Sequence, residues 1–159
     1  MSGAVKIHVP ELTLTKALRT PGGAPVAEAL EKAQARLETL RQPCLDELAM
    51  ALGRAEDCVG RFGPAFDDDL LRELYDICGG PIGTPGLCGL DAIDQVLVSL
   101  CDLIEGLRSA KRWEQESILV HLQAFRLLLQ SRLQGADAQA IVDGLRRVTK
   151  RFAADPAAD

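Results

Sequence analysis

The chain has 159 residues, 47% of them apolar but only 4% aromatic, and a formal net charge of −5. That length suits one domain that buries a core without staples, and the Leu, Ala, Val and charged bulk points to an all-α helical bundle, not a sandwich or barrel. The acidic balance and scattered basic residues argue against nucleic acid, and no apolar run approaches the roughly 20 residues of a membrane span.

The opening "MSGAVKIHVPELTLTKALR" lacks the continuous apolar core of a secretory signal, so a cytoplasmic protein is expected. Residues 1–24, with Pro10, Pro21, Gly22 and Gly23, read as an irregular arm. The spacing Val26, Leu30, Ala33, Leu37, Leu40 then predicts an amphipathic helix. It is expected to stop before Pro43, because the residue preceding proline disfavours the helical region. Pro43 suits the first turn of a second helix with Leu45, Leu48, Ala49, Leu52, Ala55 and Val59 on one face.

"RFGP" ends that helix, and Asp67, Asp68 and Asp69 open a third through Leu70, Leu71, Leu74 and Ile77. Carboxylates at a helix start complement its dipole, so these aspartates read as helix initiation and not as a metal site. Ile93, Val96, Leu97, Leu100, Leu103, Ile104 and Leu107 form a stripe wide enough for the central helix of a bundle. A fifth helix carries Trp113, Ile118, Leu119, Leu122, Phe125, Leu128, Leu129 and Leu133. Asp137 is expected to cap a sixth through Ile141, Leu145, Val148 and Phe152. The bundle is thus expected over residues 25–153, followed by a disordered tail at 154–159.

Between the third helix and the central one lies "CGGPIGTPGLCG", residues 78–89, with five glycines and two prolines. Continuing a helix through it would cost roughly 11 kcal/mol, as much as a whole domain's stability. The helix must end near Cys78, with room for one short turn after Pro81 or Pro85. A nucleotide cradle needs a lysine and a hydroxyl at set offsets or a preceding strand. No lysine occurs between Lys32 and Lys111, and the residues before the stretch are helical in pattern.

The run "LYDICGGPIGTPGLCGLDAIDQVLVSLCDLIE" resembles the core of an alphaproteobacterial family of histidine phosphotransfer (Hpt) domains that includes chemotaxis proteins of the CheE type. Leu74, Ile77, Gly83, Gly86, Gly89, Ile93, Ser99 to Cys101 and Leu103 to Glu105 carry the likeness. "VAEALEKAQARLETLR", "ILVHLQAFRLLLQ" and "IVDGLRRVTKRF" are similar to other helices of that family. The resemblance implies an antiparallel four-helix Hpt-like core with additional terminal helices. It also sets the phosphoacceptor histidine on Gly79 and the basic residue three positions later on Ile82. Glycine has no nucleophile, so the implied protein is a pseudo-Hpt adaptor. It would dock a response-regulator receiver domain or a histidine kinase through Tyr75, Asp76, Gly79, Ile82 and Gly83, with neither cofactor nor phosphoryl relay.

Two alternatives stay open at this level. His121 aligns with Phe125 and Leu128 on the fifth helix, which reads first as a partly buried, hydrogen-bonded histidine and second as a phosphoacceptor. His8 has no partner in sequence. The other alternative is a structural homo-oligomer that uses the apolar excess or the arm. Enzyme motifs are otherwise lacking: Ser99 and Ser117 have no nucleophile elbow, and the five cysteines have no CxxC spacing and are expected to be reduced thiols.

Overall fold

The computed structural model describes residues 25–131 and 133–153, so the arm with His8 and the tail at 154–159 lie outside the described residues. Secondary structure among the described residues is entirely helical, as the composition implies. In chain order the elements are α1 (Val26–Gly60), α2 (Asp68–Gly79), the single turn α3 (Thr84–Leu87), α4 (Asp91–Ser109), α5 (Gln115–Ser131) and α6 (Gly135–Ala153). None of these helices is long and apolar enough to cross a membrane. Contacts divide the chain into two units, Met1–Ala35 and Arg36–Asp159.

In the first unit, residues 26–35 form the opening turns of α1 and are exposed throughout. Ala29 N–H donates to the Pro25 carbonyl at 3.0 Å, and Lys32 pairs with Glu28 one turn earlier. The amphipathic spacing raised the expectation of a buried face, and the helix forms without one.

In the second unit α4 is the central element. It packs against α2, α3, α5 and α6, and α5 packs against α6. Ile93, Leu97, Leu100, Leu103, Ile104 and Leu107 are fully buried along it, as the width of its stripe predicts. Leu71 and Leu74 from α2, Ile118, Leu122 and Phe125 from α5, and Val142 and Leu145 from α6 close around them. Residues 44–59 of α1 join the same core through Cys44, Leu48, Leu52, Ala55, Cys58 and Val59. Each such aliphatic side chain contributes about 1.5–3 kcal/mol by leaving water.

The predicted break before Pro43 does not occur, since Pro43 lies inside the 35-residue α1. Proline removes the bond to the carbonyl four residues back, here that of Thr39, and its ring crowds that carbonyl. Thr39 lies in an exposed stretch, so the freed carbonyl is open to solvent. Strong helix formers on both sides carry the helix across. Two boundaries also shift. Trp113 precedes α5 and stacks on Phe62 instead, ring centroids 3.9 Å apart and planes within 8°. Helix α6 starts at Gly135, so Asp137 falls in its first turn and not at its cap.

Asp67 caps α2, its side chain accepting from the Leu70 N–H at 3.0 Å. Asp68 turns inward to Arg108 of α4, whose Nε donates at 2.9 Å. The paired guanidinium holds the Asp68 carboxyl below its usual range. The glycine-rich stretch behaves as its cost demands: α2 ends at Gly79, Gly83 takes φ of +91°, and α3 restarts with Pro85 in its first turn.

One side chain fixes that stretch. Asp94, in the first turn of α4, accepts from the backbone N–H of Gly83 at 2.8 Å and of Gly86 at 3.0 Å. A Cβ on Gly86 would lie 2.9 Å from Asp94 Oδ2 and 3.3 Å from Asp91 Oδ1, so a side chain there would displace the carboxylate that holds the turn. We expect Asp94→Ala to lower the unfolding free energy by about 1–3 kcal/mol in urea titration. Gly86→Ala should cost a similar amount in the wild type and little in the Asp94→Ala background, because the clash is with that carboxylate.

Candidate functional site

The residues expected to bind a partner fall at the C-terminal end of α2 and in the following turn. Tyr75 and Gly79, four apart, share a half-buried face of α2. Asp76 lies on a neighbouring face, and its carbonyl accepts from Gly80 N–H at 3.1 Å. Ile82 and Gly83 are exposed in the turn, Ile82 at 40%. Leu87, one helical turn on, is 67% exposed and was not singled out from the sequence. The structure therefore brings Gly79, Ile82 and Gly83 to one corner. Asp76 it sends into a separate groove.

That groove, about 700 Å³, runs between α1 and α2 and is lined by Glu47, Arg54, Asp69, Arg72, Glu73, Asp76 and the Gly80–Pro81 turn. Four carboxylates face two guanidiniums, which leaves it acidic. Arg54 lies 3.7 Å from Glu47, and Arg72 lies 3.1 Å from Asp68, so both cations are engaged locally. Sequence reading missed the groove because its walls come from helices separated by the "RFGP" connector.

Gly79 differs in kind from Gly86. It has no positive φ, and a Cβ there would meet only Cys101 Sγ, at 4.0 Å, an ordinary contact. Nothing steric demands glycine at this position. The absent side chain is a chemical fact about the surface, and the backbone would accept one.

His121 is fully buried between α4, α5 and α6. Its Nδ1 lies 2.8 Å from the Ser117 carbonyl, which only accepts, so Nδ1 carries the proton and Nε2 is the acceptor. Ser99 Oγ lies 3.1 Å and Thr149 Oγ1 3.3 Å from Nε2, and the two hydroxyls are 2.9 Å apart. With Nε2 as acceptor, either hydroxyl can donate to it while the other hydroxyl donates to the first, so all three groups are satisfied. The helical face predicts a partly buried, hydrogen-bonded histidine; the structure shows the hydrogen bonds but buries the ring completely, so His121 offers no exposed imidazole for phosphotransfer. The hydroxyl partners, 22 and 28 residues away in sequence, had no local signal.

Three buried thiols are chemically quiet. Burial pushes Cys44 up to about 12, with the hydrogen bond its thiol makes to Cys88 adding to it, and burial raises Cys78 to about 12 and Cys101 to about 11. At neutral pH these groups stay protonated and weakly nucleophilic. Among the described residues no group of His, Cys, Asp or Glu is arranged to hold a metal ion. No protein-family model, curated protein or solved structure matches the chain.

Burial holds the His121 pKa below its ordinary value, outweighing the Ser117 bond that favours the charged form. The unfolded chain therefore takes up a proton first as pH falls. The stability this group contributes is complete above about pH 6.5 and declines below it, by at most about 1.4 kcal/mol per pH unit. We expect the difference in unfolding free energy between wild type and His121→Gln to shrink steadily between pH 7 and pH 5, measured by urea denaturation at each pH.

Proposed function

We propose that the chain is a non-catalytic pseudo-Hpt signalling adaptor of bacterial chemotaxis or two-component systems, working in the cytoplasm. It docks a response-regulator receiver domain or a histidine kinase and relays no phosphate. The helices around α4 act, in this reading, as an Hpt-like core to which further helical segments are added.

The observation that carries the reading is Gly79. It occupies the phosphoacceptor position implied by the family resemblance, on helical backbone with room for a side chain, yet presents none. Next to it the turn displays Ile82 where a cation would stand, and Leu87 lies one helical turn beyond. An apolar contact of that kind suits binding without transfer, because well-packed apolar anchors dominate interface energetics while an uncompensated charge would not. The acidic groove at Asp76 supplies a flank for basic groups of the partner.

Calorimetric titration against the receiver domains of the same genome tests the proposal. At least one should bind, and Ile82→Asp should weaken it by about tenfold or more with the unfolding midpoint unchanged, since Ile82 is an exposed turn residue. Gly83→Arg should obstruct the same contact, with a separate strain cost of about 1–2 kcal/mol from its positive φ. Gly79→His offers an independent readout: radiolabel passing from a phosphorylated receiver to this variant, and none to the wild type. Binding by no receiver and no kinase would overturn the reading.

A further inference from the structure

Cys44 and Cys88 both belong to the second unit, one on α1 and the other at the end of α3. Cys44 is buried, and its Sγ lies 3.8 Å from the carbonyl oxygen of Thr84, the residue that opens α3. A helical carbonyl points along the axis toward the residue four places on, which here is Cys88. The Cys44 thiol therefore faces the C-terminal end of α3, and it makes a hydrogen bond to Cys88. Two side chains from separate elements already meet through their sulfurs, the approach that a disulfide requires.

Access singles out the same pair. Cys88 is the one cysteine among the described residues that is not buried. It stands half-buried between Leu87 and Gly89, both open to solvent. Cys78 also feels the charges of Cys101 and Cys58, but all three are buried, so an oxidant in solution reaches no first sulfur there. A neighbouring thiol and a reachable one coincide only at Cys44 and Cys88.

We propose that Cys88 is a site of oxidation by hydrogen peroxide and that Cys44 resolves the product to an intramolecular disulfide. In the first step the Cys88 sulfur attacks one peroxide oxygen. An S–O bond forms, the O–O bond breaks, and the departing hydroxide takes the thiol proton and leaves as water, so that Cys88 becomes a sulfenic acid. In the second step the Cys44 sulfur attacks the Cys88 sulfur. An S–S bond forms, the S–O bond breaks, and hydroxide leaves with the Cys44 proton as a second water. The two sulfurs give up two electrons, and the peroxide takes both.

Cys44 resists ionisation first through burial and then through Cys88. A neutral sulfenic acid at Cys88 removes the negative charge from that neighbour, and contact makes the attack intramolecular, which offsets the weakness of a buried thiol as nucleophile. The bond ties α3 to α1 beside the exposed Leu87. The site stands whether or not a receiver docks at the Gly79 corner.

Thiol counting on the full chain tests the proposal. The reduced protein is exposed to a few equivalents of hydrogen peroxide, unfolded, alkylated with iodoacetamide and weighed. Of its five cysteines, all should be alkylated before treatment and two fewer afterwards, with monomer mobility on a non-reducing gel and full recovery in dithiothreitol. The bond should raise the thermal midpoint by roughly 5 °C or more. Cys88→Ser should keep all its remaining thiols free, whereas Cys78→Ser should still lose two. Cys44→Ala should stop at a sulfenic acid on Cys88, captured by dimedone. Cys88→Ser decides the matter even where the buried Cys44→Ala fails to fold, because Cys88 lies at the surface of the turn. A full thiol count after peroxide, a bond that survives Cys88→Ser, or a disulfide that joins two chains overturns the proposal.

Discussion

Helix α4 is enclosed by its neighbours, and that enclosure governs the second unit. A helix packed against α2, α3, α5 and α6 leaves only a strip through Asp91, Val98, Asp102, Glu105 and Ser109 open to solvent. Its few polar side chains near the core must find protein partners, since an unpaired buried polar group costs about 1–3 kcal/mol. Asp94 finds the amides of the glycine turn, Ser99 finds His121 and Thr149, and Arg108 finds Asp68. Each of these bonds reaches a different element. The polar residues of one helix thereby set the positions of the turn before it, of α2, and of the last two helices.

The glycine turn shows how this bears on chemistry. Backbone amides converging on a carboxylate resemble an anion site, but the anion is supplied internally by Asp94. The turn is a closed joint and not a cradle awaiting phosphate. What it offers the outside is shape and apolar surface, Ile82 and Leu87, beside the helical glycine of α2. The histidine chemistry is likewise turned inward, with both imidazole nitrogens committed to core partners.

Much of this was legible in the sequence where the signal is local and periodic. The α4 stripe, the acidic start of α2, its end by Cys78 and the core-facing side of His121 follow from spacing and turn chemistry alone. Features that depend on residues far apart were not legible: the Asp94 clamp, the Ser99 and Thr149 partners of His121, and the acidic groove. Pro43 misled because a propensity rule assigns its cost without asking whether the freed carbonyl reaches water.

The Phe62–Trp113 stack joins the connector after α1 to the connector before α5, and Trp113 is the only tryptophan in the chain. The molecule thus carries one indole whose surroundings are set by two segments 51 residues apart in sequence, meeting face to face. Its emission is a built-in optical gauge of whether those connectors have closed on each other, readable without attaching a dye.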